Sequence, residues 1–150
     1  TTKPDKIMRN IKASKLVKLT SVVDTNIDNH ALVAEKSISI FKKYQDIVDD
    51  VDAVSIVTPT SSHFKIAKYF LEKNIHVLLE KPMTETVAQA KKLNNIAKKN
   101  NCILQIGHLE QFNPAIRKIR KSNCKPQFIE VHRLCQFNPR AKRSKSAAIR

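Results

Sequence analysis

Three short apolar runs with β-branched residues occupy the middle of the chain: AVSIVT from Ala53 to Thr58, IHVLL from Ile75 to Leu79, and ILQI from Ile103 to Ile106. They are continuous rather than alternating, which predicts buried strands rather than half-exposed ones. The intervals between them have helical spacing. After Ser61-Ser62, a good cap pair, Ile66, Ala67, Phe70 and Leu71 repeat on one face, while Lys65, Lys68 and Glu72 lie elsewhere. Thr86 and Gln89 have capping-box spacing, and Ala90, Leu93 and Ala97 continue the apolar stripe. Strand, helix, strand, helix, strand is most economically a parallel sheet joined by right-handed crossovers.

Upstream, LVKLTSVV from Leu16 to Val23 reads as a further strand ending at Asp24. A helical stretch near Ile27 to Lys36 and a short strand from Ser37 to Phe41 follow it. Downstream, Pro114 to Lys121 is predicted helical, entered from Asn113 with proline at the first position. Phe128 to Leu134 then alternates apolar and polar residues as a half-exposed strand does. That change of pattern places a domain boundary near Ser122 to Lys125.

Composition narrows the chemistry. The chain has 150 residues and one glycine, Gly107. A three-glycine dinucleotide fingerprint and a P-loop are therefore absent from these residues. Cys102, Cys124 and Cys135 are widely spaced, form no CxxC pair and join no HxxxH or HExxH pattern. No metal site is expected, and reduced, mostly buried thiols are the better account. No apolar run approaches the ~18 residues of a membrane span, so a soluble, cytoplasmic protein without a membrane partner is expected. The formal net charge is +15. Many lysines fall on predicted helix exteriors, so nucleic acid is not expected as a partner. The run Arg140, Lys142, Arg143, Lys145, Arg150 differs, being basic without an acidic neighbour, but it lacks interleaved aromatics for base stacking.

Ligands of an open parallel sheet bind beyond the carboxyl ends of its strands. Here those ends carry Thr58-Pro59-Thr60-Ser61-Ser62-His63, Glu80-Lys81-Pro82 and Gly107-His108-Leu109-Glu110. In a parallel sheet the three clusters share one rim, where helix starts favour anions. Asp24, closing an earlier strand, is either an ordinary N-cap or an acceptor for a ribose diol.

The stretch DAVSIVTPTSSHFKIAKYFLEKNIHVLLEKPMTETVAQAKKL from Asp52, followed by GHLEQFNPAI from Gly107, resembles the Gfo/Idh/MocA family of NAD(P)-dependent oxidoreductases. Glu80-Lys81-Pro82, following the Thr58-Pro59-Thr60 turn, is the most specific mark. The resemblance runs from about Leu16 to Arg140, and FIEVHRLCQFNPR from Phe128 is similar to the entry into the family's second domain. It implies an α/β fold: an incomplete Rossmann-like parallel sheet with helices on both faces, plus the first strand of a second α/β domain. Residues 1–122 would be a partial dinucleotide-binding domain lacking the glycine-rich turn. Residues 123–150 would hold the start of a substrate domain and the basic tail.

By the same resemblance the activity is hydride transfer between a nicotinamide and a hydroxyl-bearing carbon of a sugar or cyclitol. Asp24, Thr58, Pro59, His63, Glu80 and Lys81 would bind NAD or NADP, with NAD favoured because Asp24 repels a 2′-phosphate. Lys81 and His108 would be catalytic, and Pro82 biases Lys81 toward an extended backbone. The family's glycine turn is missing, and Gln111 stands where an arginine is usual. A shortened, catalytically impaired chain is therefore expected, with a second copy or a complementing chain as partner. The alternative is a non-catalytic remnant or binding module that uses the basic tail.

Overall fold

The computed structural model describes residues 9–11, 13–26, 38–122, 125–132 and 134. The chain divides into two compact units, Thr1–Phe112 and Asn113–Arg150. The division precedes the helix at Pro114, whereas the change of apolar pattern lies beyond it.

In the first unit, β1 (Ser21–Val23) pairs in parallel with β2 (Ser39–Phe41). A second parallel sheet has the order β3 (Ala53–Ile56), β4 (His76–Leu79), β5 (Leu104–Ile106). Helix α1 (Thr60–Glu72) joins β3 to β4, and α2 (Val87–Lys99) joins β4 to β5. Successive right-handed crossovers in one direction put both helices on the same face of the sheet. The burial follows from this. Ile56, Val77 and Leu79 are buried with Ala67, Phe70 and Leu71 of α1 and Leu93 and Ala97 of α2. Each fully buried Leu or Phe in this layer contributes about 1.5–3 kcal/mol. Leu78, on the opposite sheet face, stays 41% exposed. The continuous apolar runs therefore do not mean burial on both faces among the described residues. The helix expected near Ile27 to Lys36 lies outside them.

With glycine scarce, asparagine closes the helices. Asn74 (φ 62°) and Asn101 (φ 52°) take the left-handed conformation just past the ends of α1 and α2. Asn100 Nδ2 donates to Leu71 O at 2.7 Å, tying the end of α2 to that of α1. Cys102 is a half-buried free thiol beside the same carbonyl, and burial pushes its pKa up. Cys124 and Cys135 lie outside the described residues.

Several sequence expectations change. The strand predicted over Leu16–Val23 is reduced to β1, because β2 offers only three partner residues. Leu16 is 94% exposed. Helix α1 begins at Thr60, with Pro59 as N-cap and no side-chain cap, so Ser61 and Ser62 lie within the first turn. Thr86 does cap α2, accepting from Gln89 N at 3.3 Å. The reciprocal half of the box is missing, since Gln89 Oε1 is buried without a partner.

In the second unit, α3 (Pro114–Lys121) starts as expected, with the Asn113 side chain accepting from Ala115 N. The predicted strand at Phe128–Leu134 is not formed over its described residues. Alternation specifies a strand only where a neighbour supplies a ladder, and Phe128, Ile129, Val131 and Leu134 are all exposed. The basic run from Arg140 lies outside the described residues. No described helix is long and apolar enough to cross a membrane.

Candidate active site at the strand ends

The sheet register builds the site. Ile56 stands opposite Leu79, and Leu79 opposite Ile106, so the three strands finish level. The ladder continues into the turns, with Glu80 N–H donating to Ile56 O and Gly107 N–H to Leu79 O. Thr58-Pro59, Glu80-Lys81-Pro82 and Gly107-His108 therefore lie side by side along one rim.

Two contacts fasten the turns together. His63, the fourth residue of α1, is 1% exposed. Its Nδ1 lies 2.9 Å from Pro82 O and its Nε2 2.8 Å from Thr58 O, so one ring spans the first and second turns. The second contact joins the second and third turns. The Glu80 carboxyl group lies over Gly107, where an added Cβ would come within 3.2 Å of it. The chain's single glycine is therefore a space requirement, with no unusual φ. The same carboxylate accepts from its neighbour, Lys81 N–H to Glu80 Oε2, at 3.3 Å.

Within the first turn, Ser62 Oγ lies 2.8 Å from Thr58 Oγ1 and 2.7 Å from Pro59 O. Thr58, Lys81 and His108 are exposed at the rim and Glu80 is half-buried. The peptide between Lys81 and Pro82 is cis, which the extended bias read from the proline did not anticipate. Asp24 stands at the end of β1 in the other sheet. Its N–H donates to Phe41 O, and its Oδ1 accepts from Asn26 N–H at 2.8 Å, an Asx turn.

The rim thus gathers a hydroxyl, a carboxylate, an ammonium and an imidazole close to the N-terminus of α1. Such a set can hold an anionic or hydroxyl-rich ligand and move a proton at an exposed edge. Of the sequence-predicted residues, Thr58, Pro59, Glu80, Lys81 and His108 share this rim. His63 lies beneath it, with both nitrogens engaged by backbone. Gly107 is not among the sequence-predicted site residues, although its solitary occurrence is a usable signal.

A model of the oxidoreductase family with an NAD-binding Rossmann fold matches residues 4–108. UDP-N-acetylglucosamine 3-dehydrogenase of Acidithiobacillus ferrooxidans is 36% identical over 132 residues, 87% of this chain and 42% of that protein. Scyllo-inositol 2-dehydrogenase (NAD(+)) of Bacillus subtilis is 33% identical over 72 residues, 47% of this chain and 21% of that one. Among solved structures, the Acidithiobacillus enzyme superposes with a TM-score of 0.65 at 37% identity, over 70% of this chain and 35% of that one. Scyllo-inositol dehydrogenase from Lactobacillus casei with bound NAD(H) and scyllo-inositol gives 0.72 at 22% identity, over 80% and 37%, a likeness of fold. The chain spans less than half the length of these relatives.

Proposed function

Because the chain belongs to the oxidoreductase family with an NAD-binding Rossmann fold, we propose that its strand-end rim is the nicotinamide side of a dehydrogenase site acting on a hydroxyl-bearing carbon of a sugar or cyclitol. The observation that carries this reading is the fastening of the Thr58, Lys81 and Gly107 turns to one another through His63 and Glu80. A loose set of polar loops would not hold reacting groups in register, whereas proton transfer needs them within hydrogen-bond reach.

The donor set fits NAD or NADP on its ribose and nicotinamide sides. Glu80 would accept from the hydroxyls of the nearer ribose, and Thr58 and Pro59 would border the path beside it. Asp24, ending β1, would take the diol of the farther ribose, and its charge favours NAD over NADP. No residue of this sequence supplies a glycine turn for the pyrophosphate. The cofactor, when bound, supplies hydride exchange.

Lys81 carries the chain's own chemistry. In oxidation its neutral amine takes up the hydroxyl proton, and in reduction its ammonium polarises the substrate oxygen and returns that proton. His108, on the adjoining turn, contacts substrate or nicotinamide. The substrate class rests on the relatives, which act on UDP-N-acetylglucosamine and scyllo-inositol. A reducing cytoplasmic setting suits a dinucleotide and the unpaired Cys102 thiol.

Fluorescence titration with NADH and NADPH tests the reading. Saturable binding with NADH preferred is expected, and no response up to about millimolar dinucleotide would overturn it. Lys81→Met should lower turnover roughly 10²–10⁴-fold while changing NADH affinity by less than about tenfold.

A further inference from the structure

Among the described residues His63 is the buried histidine, and the proposed reaction does not use it. A polar ring taken out of water is tolerated when its nitrogens find partners, and both partners here are backbone carbonyls of different turns. The acceptors lie 5 residues before His63 and 19 after it, so the ring closes a contact that chain connectivity does not. With 1% of its surface exposed, the ring presents no face to a ligand.

We propose that His63 is a positioning residue, a clamp that fixes the separation of the Thr58 turn and the Lys81-Pro82 turn. Through that separation it sets where the Thr58 hydroxyl and the Lys81 ammonium stand. The consequence for a dinucleotide rests on the function proposed above, while the clamp itself rests on geometry alone. The two links are chemically separable. A neutral ring has one N–H and donates to one carbonyl, and donation to both needs the second ring proton. The amide nitrogen of asparagine occupies the place of Nδ1, facing Pro82. The amide nitrogen of glutamine occupies the place of Nε2, facing Thr58.

The test compares His63→Leu, His63→Asn and His63→Gln by amide hydrogen exchange and by NADH titration. The reporters are Ser62 N–H, bonded to Pro59 O in the first turn, and Glu80 N–H, bonded to Ile56 O in the second. Val77 in β4 and Leu93 in α2 are controls. His63→Leu keeps the volume and removes both links, so exchange at Ser62 and Glu80 should rise about tenfold with the controls within about twofold. His63→Asn should restore Glu80, and His63→Gln should restore Ser62. NADH affinity should fall about tenfold in His63→Leu and less in the two carboxamide variants.

Wild-type exchange at both reporters in His63→Leu, or an equal rise at Val77 and Leu93, would overturn the clamp and leave a packing residue. Should His63→Leu not fold, the Asn and Gln variants decide alone, since loss of the site-selective pattern in them is equally fatal. If the wild type binds no NADH, the dehydrogenase reading fails and the exchange pattern still judges the clamp. Exchange changed with NADH affinity unchanged would refute the positioning of the rim.

Discussion

In β4, Val77 and Leu79 are buried beneath α1 and α2, while in the stretch from Phe128 to Leu134 each described apolar side chain stands in solvent. The two stretches have similar side chains and opposite fates. β4 has a parallel partner on either side and two helices over one face. Its neighbours in sequence are therefore also the elements that cover it. The later stretch has no ladder among the described residues. Apolar content supplies the driving force for burial, but a strand exists only where backbone groups find partners and one face finds a cover.

The largest expected effect tests that contrast directly. Phe70→Ala empties the centre of the α1 layer and should cost about 3–5 kcal/mol in urea unfolding. Val131→Ser, in the exposed stretch, should change stability by less than about 0.5 kcal/mol. A cost above about 1 kcal/mol for Val131→Ser would show that the stretch is packed after all.

Next in size is the device that ends the well-packed helices. Asn101 holds φ 52° without the help of a glycine. Asn101→Ala should cost about 1–2 kcal/mol and Asn101→Gly much less, read as shifts in thermal midpoint. Equal losses in the two variants would mean that the Asn side chain matters more than the backbone conformation.

A smaller effect on stability than at Phe70 or Asn101 belongs to Gly107→Ala. The added methyl meets the mobile end of Glu80, so unfolding should change by about 1 kcal/mol or less. The displaced carboxylate loses its contact with Lys81 N–H, and NADH affinity should fall by more than the stability change alone explains. Pairing it with Glu80→Asp, one methylene shorter, should recover part of that loss. Affinity left intact in Gly107→Ala would detach Glu80 from the ligand.

Much of the site was legible because it sits where topology must place it. Thr58, Lys81 and His108 each follow an apolar run, and runs joined by helices pair in parallel, so their ends had to meet. The fastening was not legible. His63 reads as one more polar rim residue until the first turn of α1 rotates it under the sheet end. Gly107 reads as a turn residue until Glu80 is found lying across it. The first turn of α1 also departs from the sequence pattern, because Pro59 rather than a serine occupies the cap position.

The order of elements, their parallel sense and the chemistry at their ends were written in the spacing of apolar and polar residues, since period and length alone separate a buried strand from an amphipathic helix. Contacts decided the rest: which face of the sheet was covered, which apolar stretch stayed in water and which polar side chain became a strut. Those outcomes depend on partners distant along the chain, and a linear pattern carries no information about which of several equally suitable partners arrives.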